Sequence, residues 1–244
     1  FKIMSAPLDN PGRENWSDFL PHRPGVLVLD VIGFRDWQVR MERENALPRI
    51  VVHEYATSSA YQIDFAEEAY ALGVSAGYEY AVDRIRFSYE SPSTPEETYD
   101  YDMRTHERVL RKRQEVPSGH DPADYVVRRI MAPASDGAQI PVTILHHRDT
   151  AIDGSAPLML YGYGSYGITI PAAFRVTPLS LVDRGMVYAI AHVRGGMAIG
   201  YQWYLDGKLE NKENTFSDFV AAGEALASQG YTSRGNIVAY GGSA

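Results

Sequence analysis

The sequence predicts two architectures in tandem, an antiparallel β half followed by an α/β half on a parallel sheet. Three observations carry this. Residues 1–116 alternate short β-prone runs with turns and show no long amphipathic helix pattern. The stretch Val116–Pro122 holds Pro117, Gly119 and Pro122, and marks a boundary. After Pro157 the order is strand, helix, strand, helix, strand, which implies right-handed βαβ units.

In the first half, strands are expected at Val26–Ile32, Trp37–Met41, Arg49–Tyr55, Ile85–Tyr89 and Thr98–Tyr101. The run PRIVVHEYATSSA at 48–60 resembles PEETYDYDMRTHE at 95–107: a Pro precedes a strand, a Tyr follows, and a polar turn comes next. The offset, about 47 residues, lies within the range of propeller blades. The residues alone leave a propeller and a generic antiparallel meander both open. A propeller closes its ring with several blades, and 116 residues supply two to three. Glu67, Glu68, Glu96, Glu97 and Asp100 make this half acidic. They read as solvated loop residues or, more sharply, as a surface that guides substrate.

In the second half, Tyr125–Met131 and Ile140–Leu145 alternate and suggest a hairpin. LMLY at 158–161 is continuously apolar, as a strand covered on both faces requires. TPLSLVDRG at 177–185 reads as a helix with Thr177 as N-cap, Pro178 in its first turn and Gly185 at its end. MVYAIAHV at 186–193 is a second buried strand. TFSDFVAAGEALASQG at 215–230 is the clearest helix, with Thr215 and Asp218 at capping-box spacing. Its apolar face is Phe216, Phe219, Val220, Gly223 and Leu226. NIVAY at 236–240 is a third buried strand.

Composition narrows the function classes. The chain has 244 residues, 45% hydrophobic and 22% charged, an ordinary globular balance. Its net charge of −8, with no basic block, disfavours nucleic acid and anionic membranes as partners. The absence of cysteine excludes a disulfide scaffold and a Cys nucleophile and suits a cytoplasmic location. No apolar run reaches the roughly 18 residues of a membrane span. The N-terminus has no initiator Met and no signal-peptide core, and reads as the middle of a longer polypeptide.

Two motifs carry chemistry. The last strand runs into Gly241-Gly242-Ser243-Ala244, the first part of a G-x-S-x-G nucleophile elbow in the right context. Such a turn is sharp and favours glycine beside the serine. A flexible Gly/Ser tail is the other reading. YGYGSYG at 161–167 follows a buried strand and matches Gly-x-Gly-x-x-Gly. A dinucleotide site needs a helix to start there, and ITIPAAF resists one. The alternatives are a Tyr donor to an oxyanion hole and a packed aromatic turn. His146 and His147 are adjacent and point to opposite faces of a strand, so no metal site is expected.

LMLYGYGSYG, LSLVDRGMVYAIAHVRGG, QWYLDGKLENKENTFSDF, QGYTS and GGSA together resemble the catalytic domain of the prolyl oligopeptidase family. HDPADY at 120–125 and LVDRG point to its oligopeptidase B branch. The resemblance covers nearly the whole chain. It implies that residues 1–117 are the last two to three blades of a seven-bladed β-propeller. Residues 118–244 would then begin an α/β-hydrolase domain with a mostly parallel, doubly wound sheet. It also implies a serine peptidase that cleaves short peptides after Arg or Lys, without cofactor or metal. Ser243 matches the nucleophile, the Tyr163 hydroxyl one oxyanion donor and the Ala244 amide the other. The family's acid and histidine follow the serine and lie beyond Ala244, so the 244 residues alone are expected to be inactive. Where oligopeptidase B often carries Asp-x-Asp, this chain has Pro171-Ala172-Ala173. Where the family has RGGGE, it reads Arg194-Gly195-Gly196-Met197-Ala198. Two other readings remain: an esterase or acyl-peptide hydrolase relative, and a propeller-type interaction module with a degenerate hydrolase half.

Overall fold

A computed structural model describes residues 1–243. The short strands β1 (Ile3–Ser5) and β2 (Ser17–Leu20) pair antiparallel. β3 (Val26–Gly33), β4 (Trp37–Glu44), β5 (Leu47–Glu54) and β6 (Ser59–Gln62) form a four-stranded antiparallel meander. β7 (Ala71–Ser75), β8 (Arg84–Glu90), β9 (Glu97–Asp102) and β10 (Arg108–Arg113) form a second. The five expected strands of this half are all present. The self-similar segments fall on β5 and β9, the third strand of each meander, so the repeat is structural. The two sheets share one core, in which Trp37, Val39, Met41 and Ile50 meet Tyr70, Ile85, Phe87 and Met103. They do not close a ring among the described residues.

Strand β4 is buried on both faces. Its apolar positions face the shared core, while Gln38, Arg40 and Glu42 lie opposite. Glu42 is fully buried, with Arg23 at 2.5 Å and Arg40 at 3.0 Å as donors. Burial would raise the Glu42 carboxyl, and these two arginines hold it below the usual range.

The second half holds a five-stranded sheet in the order β11 (Tyr125–Pro133), β12 (Gln139–His147), β14 (Val187–Ala191), β13 (Leu158–Gly162), β15 (Ile237–Tyr240). β11 and β12 are the expected hairpin, in unbroken register from Tyr125 opposite His147 to Pro133 opposite Gln139. Only β13, β14 and β15 are parallel, and β12 meets β14 antiparallel. The sheet is therefore mixed. Helix α1 (Val176–Val182) packs on one face, where Leu179 and Val182 meet Leu145 and Phe174. α2 (Tyr201–Leu205), a single short turn, buries Trp203. α3 (Glu213–Ser228) covers the other face, setting Ala222, Ala225 and Leu226 against Ile140, Val142 and Leu160.

Four local expectations are corrected. The N-cap of α1 is Arg175, with Thr177 already inside the helix and no side-chain cap bond. α3 begins at Glu213 with Lys212 as N-cap. Thr215 and Asp218 are buried within it and bond to the 194 segment instead. Phe216 and Val220 are not core: they are 63% and 60% exposed. β15 is not buried either, because among the described residues it is an edge strand, with Val238 and Tyr240 more than half exposed.

Several contacts tie the antiparallel half to the α/β half. Arg128 donates to Glu68 at 2.7 Å, and the Arg129 amide donates to the same carboxylate. The Ala46 amide, at the β4–β5 turn, donates to the Ala198 carbonyl. The Phe174 amide donates to Glu90 at 2.9 Å. Within the antiparallel half, Glu67 accepts from the Thr94 hydroxyl at 2.6 Å. Glu67 and Glu68 thus hold protein groups. No helix among the described residues is long and apolar enough to cross a membrane.

Candidate active site

β13 and β15 lie side by side and parallel, with Tyr161 opposite Tyr240. Both chains leave the sheet at the same level. One continues as Gly162-Tyr163-Gly164 and the other as Gly241-Gly242-Ser243. The carboxyl ends of adjacent parallel strands are where an open α/β sheet presents a crevice. A cleft of about 480 Å³ lies there, lined by Tyr163, Lys212, Phe216, Val220, Tyr240 and Ser243 among others. The sequence-derived pair, Tyr163 and Ser243, is therefore brought together. The Ala244 amide lies outside the described residues.

Ser243 sits at φ 73°, in the left-handed region that L-residues avoid. A serine held there at a strand end is the geometry a nucleophile elbow requires, with its side chain turned out of the sheet. The turn also needs room: a Cβ on Gly241 would lie 3.0 Å from the Gly162 carbonyl oxygen. Tyr163 is half-buried, and its hydroxyl makes no hydrogen bond among the described residues, which leaves it free to donate.

The 162–167 turn is anchored from below. A Cβ on Gly164 would overlap the Thr215 side chain and come within 2.6 Å of the Arg194 carbonyl oxygen. The Thr215 hydroxyl donates to that carbonyl at 2.8 Å, and the Gly167 amide donates to the Gly195 carbonyl. Arg194 is itself held. Its guanidinium contacts Asp218 at 2.6 Å and Asp136 at 2.6 Å. The two carboxylates hold its pKa well above the usual value. The Arg194 side chain is 7% exposed and that of Asp218 is fully buried. α3 thus supports the site with Asp218, Thr215 and Lys212. Asp218 and Thr215, at capping spacing in the sequence, bond to the 194 segment, and Lys212 joins them through the Gly164 carbonyl and the Ser165 hydroxyl.

A dinucleotide site lacks its helix here. α1 begins only at Val176, so no helix N-terminus meets Gly162-x-Gly164-x-x-Gly167 to hold a pyrophosphate. Among the described residues no group of three His, Asp or Glu side chains is placed to hold a metal. His192 is buried, its pKa pushed down to about 3 by desolvation, and it contacts Thr143 at 2.9 Å. No histidine and no carboxylate lines the cleft among the described residues. Pro171 and Ala173 line a separate crevice with Leu145, Tyr188 and Ile190.

Residues 1–114 match the prolyl oligopeptidase N-terminal β-propeller domain, and residues 172–244 match the prolyl oligopeptidase family. Dipeptidyl aminopeptidase BI of Pseudoxanthomonas mexicana is 45% identical over the whole chain, which spans 34% of that protein. Protease 2 of Moraxella lacunata is 34% identical over the whole chain, which spans 35% of it. The solved structure of oligopeptidase B from Leishmania major superposes with a TM-score of 0.88 at 33% identity, over 98% of this chain and 34% of that one. The chain thus spans about a third of the length of the relatives it matches. The chain belongs to the prolyl oligopeptidase family.

Proposed function

We propose that Ser243 is the nucleophile of a serine peptidase that hydrolyses short peptides after Arg or Lys, as in the oligopeptidase B branch. The observation that carries this is Ser243 itself, held at φ 73° at a strand end in one cleft with Tyr163. Its Oγ attacks the scissile carbonyl carbon, and its proton passes to a general base. The Tyr163 hydroxyl and the Ala244 amide donate to the oxyanion that forms. Collapse breaks the C–N bond, and the amine leaves with the proton. Water then attacks the acyl-serine and releases the acid. The described residues place no histidine and no carboxylate in the cleft, and the family resemblance assigns the role of base to a histidine after the serine. The 244 residues alone are accordingly proposed to be inactive. The domain division at residues 117/118, the cytoplasm as setting and a cofactor-free reaction belong to the same proposal.

A second reading is favoured by the 45% relative, which is a dipeptidyl aminopeptidase. On that reading the enzyme removes dipeptides from a free N-terminus. Measuring kcat/KM in the full-length protein separates the two, using one peptide sequence with its N-terminus free or acetylated and Arg at the cleaved position. Retained turnover of the acetylated peptide supports the endopeptidase; strict dependence on the free amine supports the dipeptidase. No turnover of either, with Ser243 intact, overturns both.

A further inference from the structure

Lys212 has no part in the reaction proposed above, yet it is the charged side chain that lines the Ser243 cleft among the described residues. Its ammonium donates to the Gly164 carbonyl at 2.7 Å and to the Ser165 hydroxyl at 2.6 Å. These atoms follow Tyr163 directly in the chain. Burial lowers the Lys212 pKa, and among the described residues no carboxylate offsets that cost. A partly buried cation kept without a carboxylate calls for an explanation in its hydrogen bonds.

Two explanations are chemically distinct. One is a Ser–Lys pair with Ser165 as a second nucleophile. The geometry argues against it: Ser165 is 8% exposed, and the bond from Lys212 to the Gly164 carbonyl draws on the ammonium as a donor. The other is mechanical. The 162–167 turn carries three glycines and has much conformational freedom to lose. Two charge-assisted bonds from the start of α3 restrict it one and two residues after Tyr163.

We propose that Lys212 is a positioning residue, which clamps the Gly164–Ser165 backbone and thereby fixes the Tyr163 hydroxyl beside Ser243. This rests on the reading of Tyr163 as oxyanion donor. A misplacement of about 1 Å in such a donor is enough to cost on the order of 100-fold in rate.

The test is a double-mutant cycle of Lys212→Met and Tyr163→Phe in the full-length protein, with kcat and KM measured separately. Lys212→Met is expected to lower kcat by about 10- to 100-fold with KM within about twofold. In the Tyr163→Phe background its further effect should fall below about threefold, because the group it positions is gone. An unchanged kcat, or losses that multiply in the double variant, overturns the proposal. If Lys212→Met does not fold, Ser165→Ala removes one of the two acceptors. Its kcat loss should then appear only when Tyr163 is present, and an equal loss in both backgrounds overturns the clamp. Labelling of wild-type Ser243 by a fluorophosphonate probe is measured in parallel. Absence of labelling removes the underlying peptidase reading, whereas labelling with a failed cycle removes only the role of Lys212.

Discussion

Tyr161 and Tyr240 stand opposite each other across the parallel β13–β15 pair, their ring centroids 5.6 Å apart. Each is the last or next-to-last residue of its strand. The pair therefore sets the level at which two turns leave the sheet, one carrying Tyr163 and the other Ser243. Two residues eighty positions apart in sequence meet in one cleft because their strands share a register.

Removing the Tyr163 hydroxyl tests its role as donor. Tyr163→Phe should lower kcat by about 10²–10³-fold, the cost of one oxyanion-hole donor, with a smaller change in KM. Steady-state kinetics on the full-length protein measures this. An unchanged kcat would leave Tyr163 as a packed aromatic.

The backbone at Ser243 should be measurably strained. At φ 73° any residue with a Cβ is disfavoured, and glycine is not. Ser243→Gly should therefore be more stable than Ser243→Ala by about 1 kcal/mol. Denaturant unfolding of the two variants gives the difference directly. Equal midpoints would mean the elbow stores no strain.

The Arg194–Asp218 pair should be costly to break. Both side chains are nearly or fully buried, and among the described residues Asp218→Ala leaves the guanidinium with only the partly exposed Asp136. Loss of one partner of such a pair costs about 3–5 kcal/mol. A loss below about 1 kcal/mol in chemical denaturation would show that Asp136 and water compensate.

The contact between the halves at Glu90 should depend on pH. Burial raises the Glu90 carboxyl, opposed by the Phe174 amide, with Glu96 raising it further and Arg175 lowering it. A carboxyl whose folded pKa is raised contributes stability below its ordinary value of 4.5, and that contribution is lost as pH rises through the folded value. Glu90→Gln keeps an acceptor for Phe174 and removes the titration. Its stability relative to wild type should thus improve between about pH 4 and pH 7. A difference that stays flat, or runs the other way, contradicts the assignment.

Much of the fold was legible in the sequence because its strands announce themselves by local pattern. β3, β4, β5, β8 and β9 alternate or carry β-branched runs, and the shared Pro-strand-Tyr-turn pattern marked β5 and β9 as equivalent. The Gly-x-Ser ending and the YGYG turn were legible for the same reason: each follows its own strand. What escaped depends on distant partners. Thr215 and Asp218 have capping spacing, but buried polar residues satisfied by a segment some twenty positions earlier look the same in sequence as a cap. Lys212 lies within a motif of the family resemblance, but its role carried no local signal, because its acceptors are a carbonyl and a hydroxyl 48 and 47 residues away. The exposure of Phe216, Val220 and β15 was hidden too, since apolar periodicity does not say which apolar face lines a cleft.

The central claim is that Ser243 is an activated nucleophile. Treating the full-length protein with a fluorophosphonate probe and mapping the modified residue by peptide mass spectrometry tests it most directly. The account predicts one adduct, on Ser243, lost in Ser243→Ala and slowed in Tyr163→Phe. An adduct on Ser165, or none on a folded protein, would contradict it.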